Sequence, residues 1–594
     1  MGSFWKSVIA TILGIVILVV IVSLVCCAGI VGSLASEGAS PSIESNSVLV
    51  LNLNGSLEER ASDNPLAALM NGGSNMTNFG LDEIVSAIKN AKDNDNVKGI
   101  FIQAGTFTTD SWASDQAIRK ALVEFRKSGK WIVSYADNYT QSTYYLASAG
   151  NKILLNPEGM VEWMGIGSQP MYLKHFLAKF GVKFQLAKVG TYKSAPEMYM
   201  ADEMSDANRE QISAYINGIW SQILADVSES RKISVDSLNS YADNFIMLND
   251  PQDYLKMKIV DKLVYADEVK AEINKLLKAD ADAEINQVLP SALNNLEQDN
   301  SGDEIAIYYA YGDIVQSAAE SSLTGANSHQ IIGEDVTKDL AALASDDDVK
   351  AVVIRINSGG GSAYASEQIW RAIELLKKSK PVVVSMGGMA ASGGYYMSCN
   401  SNWIVAEPTS ITGSIGIFGM FPDVSELMTQ KLGIKFEEVK TNKHSVYGNM
   451  MARPFNAEEM GMLEKYVQRG YELFLKRVGE GRGMTHDQVD KIAQGHVYTA
   501  VDAKKIKLVD ELGGIDEAVK KAAKLAKIDD YYTAAYPAEK KWYETLLEQN
   551  KANSILDAKL RETLGDLYAP FVMLRNIKNQ DAIQARMPFV INKN

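Results

Sequence analysis

The sequence contains two copies of one unit, and this duplication restricts the fold more than any other feature. Residues 95–102, DNVKGIFI, are matched by residues 347–354, DDVKAVVI, and Tyr144-Tyr145 is matched by Tyr395-Tyr396. In each copy an alternating apolar strand comes first, and helices and strands then alternate along the chain. Alternation of this kind predicts an α/β fold, in which βα units build a twisted sheet flanked by helices.

The duplication also sets the domain boundaries. A chain of 594 residues is too long for one hydrophobic core, so each copy is predicted to be a domain. We place the two domains at residues 46–280 and 304–540, with a polar linker at residues 281–303. The apolar spacing in residues 541–594 is typical of amphipathic helices, which predicts a helical C-terminal tail.

The first 40 residues are predicted to form a transmembrane anchor and a stalk. Residues 7–32 carry no charge and are long enough to span a bilayer as a helix, which takes roughly 20 residues. Lys6 precedes this run and Glu37 and Glu44 follow it, which places the N-terminus in the cytoplasm and the bulk of the chain outside. A cleaved signal peptide is the alternative, but the run exceeds the usual apolar segment of roughly 7–15 residues.

Composition excludes several classes of function. The net charge is −14 and no basic stripe is visible, which argues against a nucleic-acid-binding protein. Of the three cysteines, Cys26 and Cys27 lie in the predicted anchor and Cys399 stands alone. No disulfide framework or metal cluster can be built from them, and we expect neither a metal nor a cofactor.

One stretch of the second copy has the pattern of a nucleophile site. In PVVVSMGGMAASGGYYMSCN, residues 381–400, an apolar strand is followed by small residues, then Ser392, then a helix. Free backbone N–H groups and the positive helix end would favour an alkoxide or oxyanion there. The alternative is a crossover of small residues packed against a sheet.

A second glycine-rich turn lies upstream of this stretch. The strand at residues 351–356 runs into Asn357, Ser358 and three glycines, Gly359 to Gly361. Glycines let backbone N–H groups approach a ligand closely, so this turn is a candidate oxyanion hole.

Three motifs together resemble one protein family. RINSGGGS, SMGGMAASGGYYMS and TGSIGIFG are similar, in this order, to motifs of the SppA family of signal peptide peptidases, also called protease IV. The resemblance implies two ClpP/crotonase-like domains and a Ser/Lys peptidase that degrades remnant signal peptides. It also implies an oxyanion hole at Gly360 and Gly361, and a homotetramer at the bacterial inner membrane with periplasmic catalytic domains. The family usually has a proline at the position of Gly359.

The duplication divides the implied catalytic pair between the copies. The offset between the tyrosine pairs is 395 − 144 = 251, which puts Gln141 at the position of Ser392. Downstream, residues 181–199 align with residues 433–451, so Lys193 falls opposite Ser445. Lys193, in VGTYKSAPE, resembles the catalytic lysine of the family. The first copy would then supply the general base and the second copy the nucleophile.

Other architectures remain open at this point. A Ser/His/Asp triad would need one of five histidines, of which His444 alone lies in a relevant loop, beside Ser445. A lysine base must be desolvated to lose its proton near neutral pH. Ser414, in TGSIG, resembles a family serine that orients this lysine, or it is a simple turn serine. A crotonase-like acyl-binding protein and a catalytically inactive membrane scaffold are the remaining alternatives.

Overall fold

The structure is a computed structural model that describes residues 42–60, 77–296, 300–317, 329–538 and 583–587. Within those ranges, no helix has both the length and the apolar character needed to cross a membrane. The predicted anchor and stalk, residues 1–40, lie outside the described residues.

A parallel sheet forms the centre of the first repeat. Its strands are β1 (Ser47–Glu58), β2 (Thr77–Gly80), β3 (Val97–Thr108), β4 (Trp131–Tyr139), β5 (Lys152–Val161), β7 (Lys262–Leu263) and β8 (Gln287–Val288). The spatial order is β2-β1-β3-β4-β5-β7, and β8 pairs with β1. Since β8 falls in the segment predicted to be a linker, part of that segment belongs to the sheet of the first repeat.

The second repeat is built on a sheet with the same plan. Its strands are β9 (Asp303–Tyr311), β12 (Val349–Ser358), β14 (Val382–Ala391), β15 (Trp403–Ala406), β16 (Ile411–Gly413), β18 (Val497–Thr499), β19 (Glu511–Leu512) and β20 (Tyr531–Tyr536). Neighbours β9, β12, β14 and β15 correspond to β1, β3, β4 and β5 of the first repeat, and all these pairs are parallel.

A third sheet joins strands from distant parts of the chain. Its strands are β6 (Lys183–Lys188), β10 (Asp313–Val315), β11 (Gln330–Ile332), β13 (Gly360–Ser362), β17 (Phe418–Asp423) and β21 (Ile583–Arg586). The order is β11-β10-β13-β21-β17-β6. The first repeat therefore contributes β6 to a sheet of the second repeat, where it pairs with β17 in antiparallel register.

The C-terminal segment differs from the sequence-based expectation where it is described. Residues 583–586 form a strand, not an amphipathic helix, because their main chain pairs with β13 on one side and β17 on the other. Residues 541–582 and 588–594 of the predicted helical tail lie outside the described residues.

Helices cover the sheets of both repeats. The α-helices are α1 (Leu81–Asp93), α2 (Trp112–Lys127), α3 (Gln141–Ala147), α4 (Lys174–Lys179), α5 (Glu197–Met200), α6 (Asp206–Arg231), α7 (Val235–Asp243), α8 (Pro251–Lys256), α9 (Val269–Leu277), α10 (Pro290–Asn294), α11 (Gly333–Ser345), α12 (Ala363–Leu376), α13 (Gly393–Ser398), α14 (Ala457–Arg482), α15 (His486–Ile492), α16 (Ala500–Lys505) and α17 (Ile515–Ala526). The sequence explains where α14 begins and where it ends. Asn456 and Glu459 form a capping box at its start, and Gly483 ends it in the left-handed conformation.

The core explains why the site lies where it does. The apolar runs of β12 and β14 are buried on both faces, as expected for central strands of a parallel sheet. Each of these strands leads at its carboxyl end into a glycine-rich turn, β12 into Gly359 to Gly361 and β14 into Ser392. Because neighbouring parallel strands end at the same edge, the two turns lie side by side.

Charged and polar side chains join the two repeats. Glu59 of the first repeat binds Arg355 of β12, with Oε2 3.0 Å from the Arg355 Nε, and both side chains are buried. The same carboxylate accepts a hydrogen bond from Asn357 Nδ2 at 2.9 Å. Lys120 of α2 also crosses the interface, and its Nζ lies 2.5 Å from Oε2 of Glu517 in α17. The contacts of Glu59 fix the first repeat against the strand that ends in the glycine turn.

Candidate active site

Ser392 lies at the junction between β14 and α13, in a strained backbone conformation. Its φ is 54°, in the left-handed region that side-chain-bearing residues rarely adopt. Two backbone bonds hold it there. Its N–H donates to the Gly413 carbonyl at 2.8 Å, and its carbonyl accepts from the Tyr396 N–H at 2.8 Å. The neighbouring strand β16 and helix α13 thus impose a geometry of the kind that clusters at functional sites.

Lys193 reaches this serine from the first repeat. It follows β6, and the pairing of β6 with β17 carries it into the second repeat. Its Nζ lies 2.7 Å from Ser392 Oγ, 2.9 Å from Ser414 Oγ and 3.0 Å from the Ser414 carbonyl oxygen. All three residues belong to one chain, and the side chains of all three are fully buried.

The surroundings of Lys193 favour its neutral form. Burial without a compensating charge lowers the pKa of Lys193 well below its usual value. A neutral amine has two N–H donors and one lone pair, which matches the three oxygen neighbours. The Ser414 carbonyl can only accept, so it takes one N–H, and Ser414 Oγ can take the other. The lone pair then remains for the hydroxyl of Ser392.

Polar side chains of α6 hold the loop that carries Lys193, and the sequence analysis did not single them out. Gln211 Nε2 donates to the Tyr192 carbonyl at 3.0 Å and to Ser194 Oγ at 2.9 Å. Ser194 Oγ in turn donates to Asn208 Oδ1 at 2.8 Å. The sequence indicates this supporting role only weakly. Asn208 and Gln211 are polar residues spaced i, i+3 on a helix face that is otherwise apolar.

The glycine turn lies directly beside the nucleophile position. Gly360 has a φ of 103° and its N–H donates to Ser358 Oγ at 3.1 Å. A Cβ at Gly360 would lie 2.8 Å from the nitrogen of Gly393, the residue after Ser392. Gly361 pairs with Ile314 of β10. Gly360 and the nitrogen of Gly393 therefore lie close together, and the Gly393 N–H is a candidate oxyanion donor that the sequence alone did not indicate.

In each repeat, the position that aligns with the other repeat's candidate catalytic residue holds a different residue. Gln141, which aligns with Ser392, uses its side chain to bind the local backbone. Its Oε1 accepts from the N–H groups of Met164 at 2.8 Å and Gly165 at 3.0 Å. Ser445, which aligns with Lys193, is exposed, and its Oγ donates to the Asn442 carbonyl at 3.0 Å.

The histidines interact with residues other than Ser392. His444 lies beside Glu458 and Glu459, with ring nitrogens 3.8 Å and 4.0 Å from their carboxylate oxygens. Among the described residues, which include all five histidines, no histidine is hydrogen-bonded to Ser392. The arrangement offers Ser392 a lysine and no imidazole as a neighbouring base.

Comparisons with known proteins all indicate the same class of protein. The sequence profile of Peptidase family S49 matches residues 124–280 and 374–529, one segment in each repeat. The profile of Clp protease matches residues 308–403, which include β12, the glycine turn and Ser392. The fold and these matches define a serine protease with two tandem ClpP-like repeats.

Whole-chain relatives agree with this class. The chain is 38% identical over 467 residues to Protease 4 of Salmonella typhi, which covers 77% of this chain and 74% of that protein. It is 32% identical to Protease 4 of Haemophilus influenzae, over 82% of this chain and 80% of that protein. It is 28% identical to the chloroplastic serine protease SPPA of Arabidopsis thaliana, over 82% of this chain and 70% of that protein. The chain belongs to Peptidase family S49 and is an SppA-type protease.

A solved structure gives a more distant match. ClpP1 from Listeria monocytogenes is 19% identical and covers 35% of this chain and 91% of its own length, with a TM-score of 0.23.

Proposed function

We propose that this protein is a membrane-anchored serine endopeptidase that uses Ser392 as nucleophile and Lys193 as general base. The observation that carries this proposal is the buried contact of 2.7 Å between Lys193 Nζ and Ser392 Oγ. This is hydrogen-bond reach for a proton transfer, and the lowered pKa of Lys193 supplies the neutral amine that such a transfer needs.

In the proposed acylation step, Ser392 Oγ attacks the carbonyl carbon of the peptide bond while its proton passes to Lys193 Nζ. Ser414, through its Oγ and its carbonyl oxygen, keeps the amine aligned and accepts hydrogen bonds from the lysine once it is charged. The C–N bond then breaks, and Lys193 returns the proton to the leaving amine. In the second step Lys193 deprotonates a water that hydrolyses the acyl ester and restores Ser392.

The developing oxyanion would be stabilised by backbone N–H groups. The candidate donors are Gly360 and Gly361 of the glycine turn, joined by Gly393 at the start of α13. Gly360 donates to Ser358 Oγ in this structure, so substrate would have to draw that N–H away from its resting partner. Each such donor is worth roughly 10²–10³ in kcat in comparable sites.

The substrate and location follow from the anchor and the family resemblance. The uncharged run at residues 7–32 supports a single-pass inner-membrane protein with periplasmic catalytic domains. Remnant signal peptides are the substrates that the SppA resemblance implies, and their apolar segments suit a site tethered to a bilayer. A homotetramer rests on the same resemblance.

The test uses an active-site probe and four variants of the full chain. A fluorophosphonate probe should label the wild type, and Ser392→Ala should abolish both labelling and peptide hydrolysis. Lys193→Ala should lose hydrolysis as completely, and the double variant should be no worse than either single one, because both side chains act in one step. Ser398→Ala, a buried serine further along α13, is the matched control and should keep its activity.

Two results would count against the dyad. Full hydrolysis by Ser392→Ala would assign the reaction to another nucleophile. Full activity of Lys193→Ala with retained labelling would show that another group deprotonates Ser392, and His444 would be the next base to test.

A further inference from the structure

A short segment of the second repeat, residues 494–497, lies between two loops of the active site, and we call it the bridging segment. The Gln494 carbonyl accepts a hydrogen bond at 2.8 Å from the N–H of Tyr192, the residue directly before the proposed base. The His496 carbonyl accepts from the Ser414 N–H at 2.7 Å. Main-chain hydrogen bonds of the bridging segment therefore connect the lysine loop of the first repeat with the Ser414 loop of the second.

The bridging segment approaches the lysine more closely than a side chain would allow. Gly495 has a φ of 80°, and a Cβ on it would lie 2.6 Å from the Lys193 nitrogen. The Gly495 N–H donates to the Ile415 carbonyl at 2.8 Å. A Cβ at Gly416 would lie 3.3 Å from Cδ of Lys193. The main chain of these glycines thus forms one wall of the buried space that holds the lysine side chain.

The imidazole of His496 joins the bridging segment to both repeats. Its ring centroid lies 4.3 Å from that of Tyr192 in the first repeat and 4.3 Å from that of Tyr498 in the second. Its Nδ1 lies 2.9 Å from the Val497 carbonyl oxygen, which can only accept, so Nδ1 carries the proton. Burial lowers the pKa of His496 below its usual value, which favours the neutral ring. Glu210 of α6 faces this stack and accepts from the Tyr192 hydroxyl at 3.2 Å.

We propose that His496 is a positioning residue of the Ser/Lys pair, whose ring holds the lysine loop of the first repeat against the Ser414 loop of the second. This inference rests on the proposed function and adds a residue to it. His496 acts through its neighbours, because its carbonyl holds Ser414 and its ring packs on Tyr192. Without the ring, the lysine loop can move away from Ser414, which lengthens the contacts of Lys193 Nζ and admits water to the amine.

The first test separates kcat from KM. His496→Ala should lower kcat about tenfold to hundredfold and leave KM within about twofold of the wild type, because a displacement of about 1 Å in the reacting groups is costly in rate. His496→Phe keeps a ring between the two tyrosines and should recover most of kcat. Tyr192→Ala opens the stack from the side of the first repeat and should resemble His496→Ala, and the double variant should be no worse than either single one. His486→Ala, which removes an exposed histidine of α15, is the matched control and should keep the wild-type kcat.

The pH profile separates a change of position from a loss of folded protein. The acid limb of kcat/KM reports the pKa of the base in the free enzyme. Water beside Lys193 would raise its pKa towards the ordinary value, so the limb of His496→Ala should move to higher pH by about one unit. A smaller amount of folded protein would lower kcat without moving the limb. His496→Phe should keep the wild-type limb, because the imidazole is not the group that titrates.

A second measurement does not depend on the reaction. In urea unfolding, the difference in stability between a chain with Lys193 and the same chain with Lys193→Met begins to rise at the pKa of Lys193 in the folded state. In the background of His496→Ala this rise should begin about one pH unit higher than in the wild-type background. This shift concerns the shielding of Lys193 and can be measured even if Lys193→Ala proves active, so the inference and the proposed function can fail separately.

Three results would overturn the inference. The first is a wild-type kcat in His496→Ala. The second is a reduced kcat in His496→Ala with neither the acid limb nor the onset of the stability difference moved, since His496 would then serve only the stability of the fold. The third is the loss of the acid limb in His496→Phe, since the imidazole would then carry the proton itself.

Discussion

Replacing Lys193 by methionine should make the protein inactive and change how its stability depends on pH. Methionine has a similar length and no charge, so it can fill the same buried space. In the wild type the folded state keeps Lys193 neutral, whereas the unfolded chain binds a proton on it up to a pH near 10.4. Folding therefore releases a proton, and the stability of the wild type must rise with pH across this window.

The size of the effect follows from proton linkage. One proton released on folding raises the free energy of unfolding by about 1.4 kcal/mol per pH unit between the lowered pKa of the folded state and the ordinary pKa of the unfolded chain. The three hydrogen bonds that Lys193→Met loses contribute a constant, since the serine and carbonyl partners do not titrate here. Between pH 8 and pH 10, the stability of Lys193→Met relative to the wild type should fall by up to about 2.5 kcal/mol, because the unfolded chain begins to lose this proton near pH 10.

Urea unfolding at pH 7, 8, 9 and 10, followed by tryptophan fluorescence, measures this difference. Lys188→Met removes an exposed lysine at the end of β6, the strand that precedes Lys193, and controls for the loss of a surface charge. Parallel pH curves for the wild type and Lys193→Met would show that the folded protein keeps the proton on Lys193. The reasoning that makes this lysine a base would then be wrong.

Two further predictions concern the interface between the repeats and the N-terminal segment. Glu59→Gln should destabilise the protein by about 3–5 kcal/mol, because it leaves Arg355 buried without its counter-charge, and adding Arg355→Met should restore most of the loss. Additive losses in that pair, measured by urea unfolding, would contradict the coupling. Deleting the residues before Pro41 should give a soluble, folded protein that still cleaves small peptides. Precipitation of this shortened protein would show that the N-terminal segment is part of the core and not a tether.

The duplication is the reason that the sequence alone pointed to the site. Aligning the repeats by their tyrosine pairs, and residues 181–199 with residues 433–451, brought out one serine without a counterpart, Ser392, and one lysine without a counterpart, Lys193. Their side chains are 2.7 Å apart in the structure. The α/β class and the tandem ClpP-like repeats were confirmed as well. The catalytic roles of Ser392, Lys193 and Ser414 stay predictions until the variants are measured.

What the sequence could not supply are contacts between segments far apart in the chain. Glu59 and Arg355 are separated by 296 residues, and the sequence around neither residue indicates a buried ion pair. Residues 583–586 are too few to show whether apolar residues recur with the period of a strand or of a helix. Their pairing with β13 and β17 makes them a strand. Tertiary contacts override local preference in such short segments.

The placement of β6 in the sheet of the second repeat has a consequence during synthesis. The chain leaves the ribosome from its N-terminus, and Lys193 is made 199 residues before Ser392. β17 begins 230 residues after β6 ends (418 − 188), so at about 5–20 residues per second β6 has no β17 to join for about 12–46 s. If Ser392 and Lys193 act together as proposed, a nascent or prematurely terminated chain cannot cut peptides, and activity appears only once translation has passed both repeats.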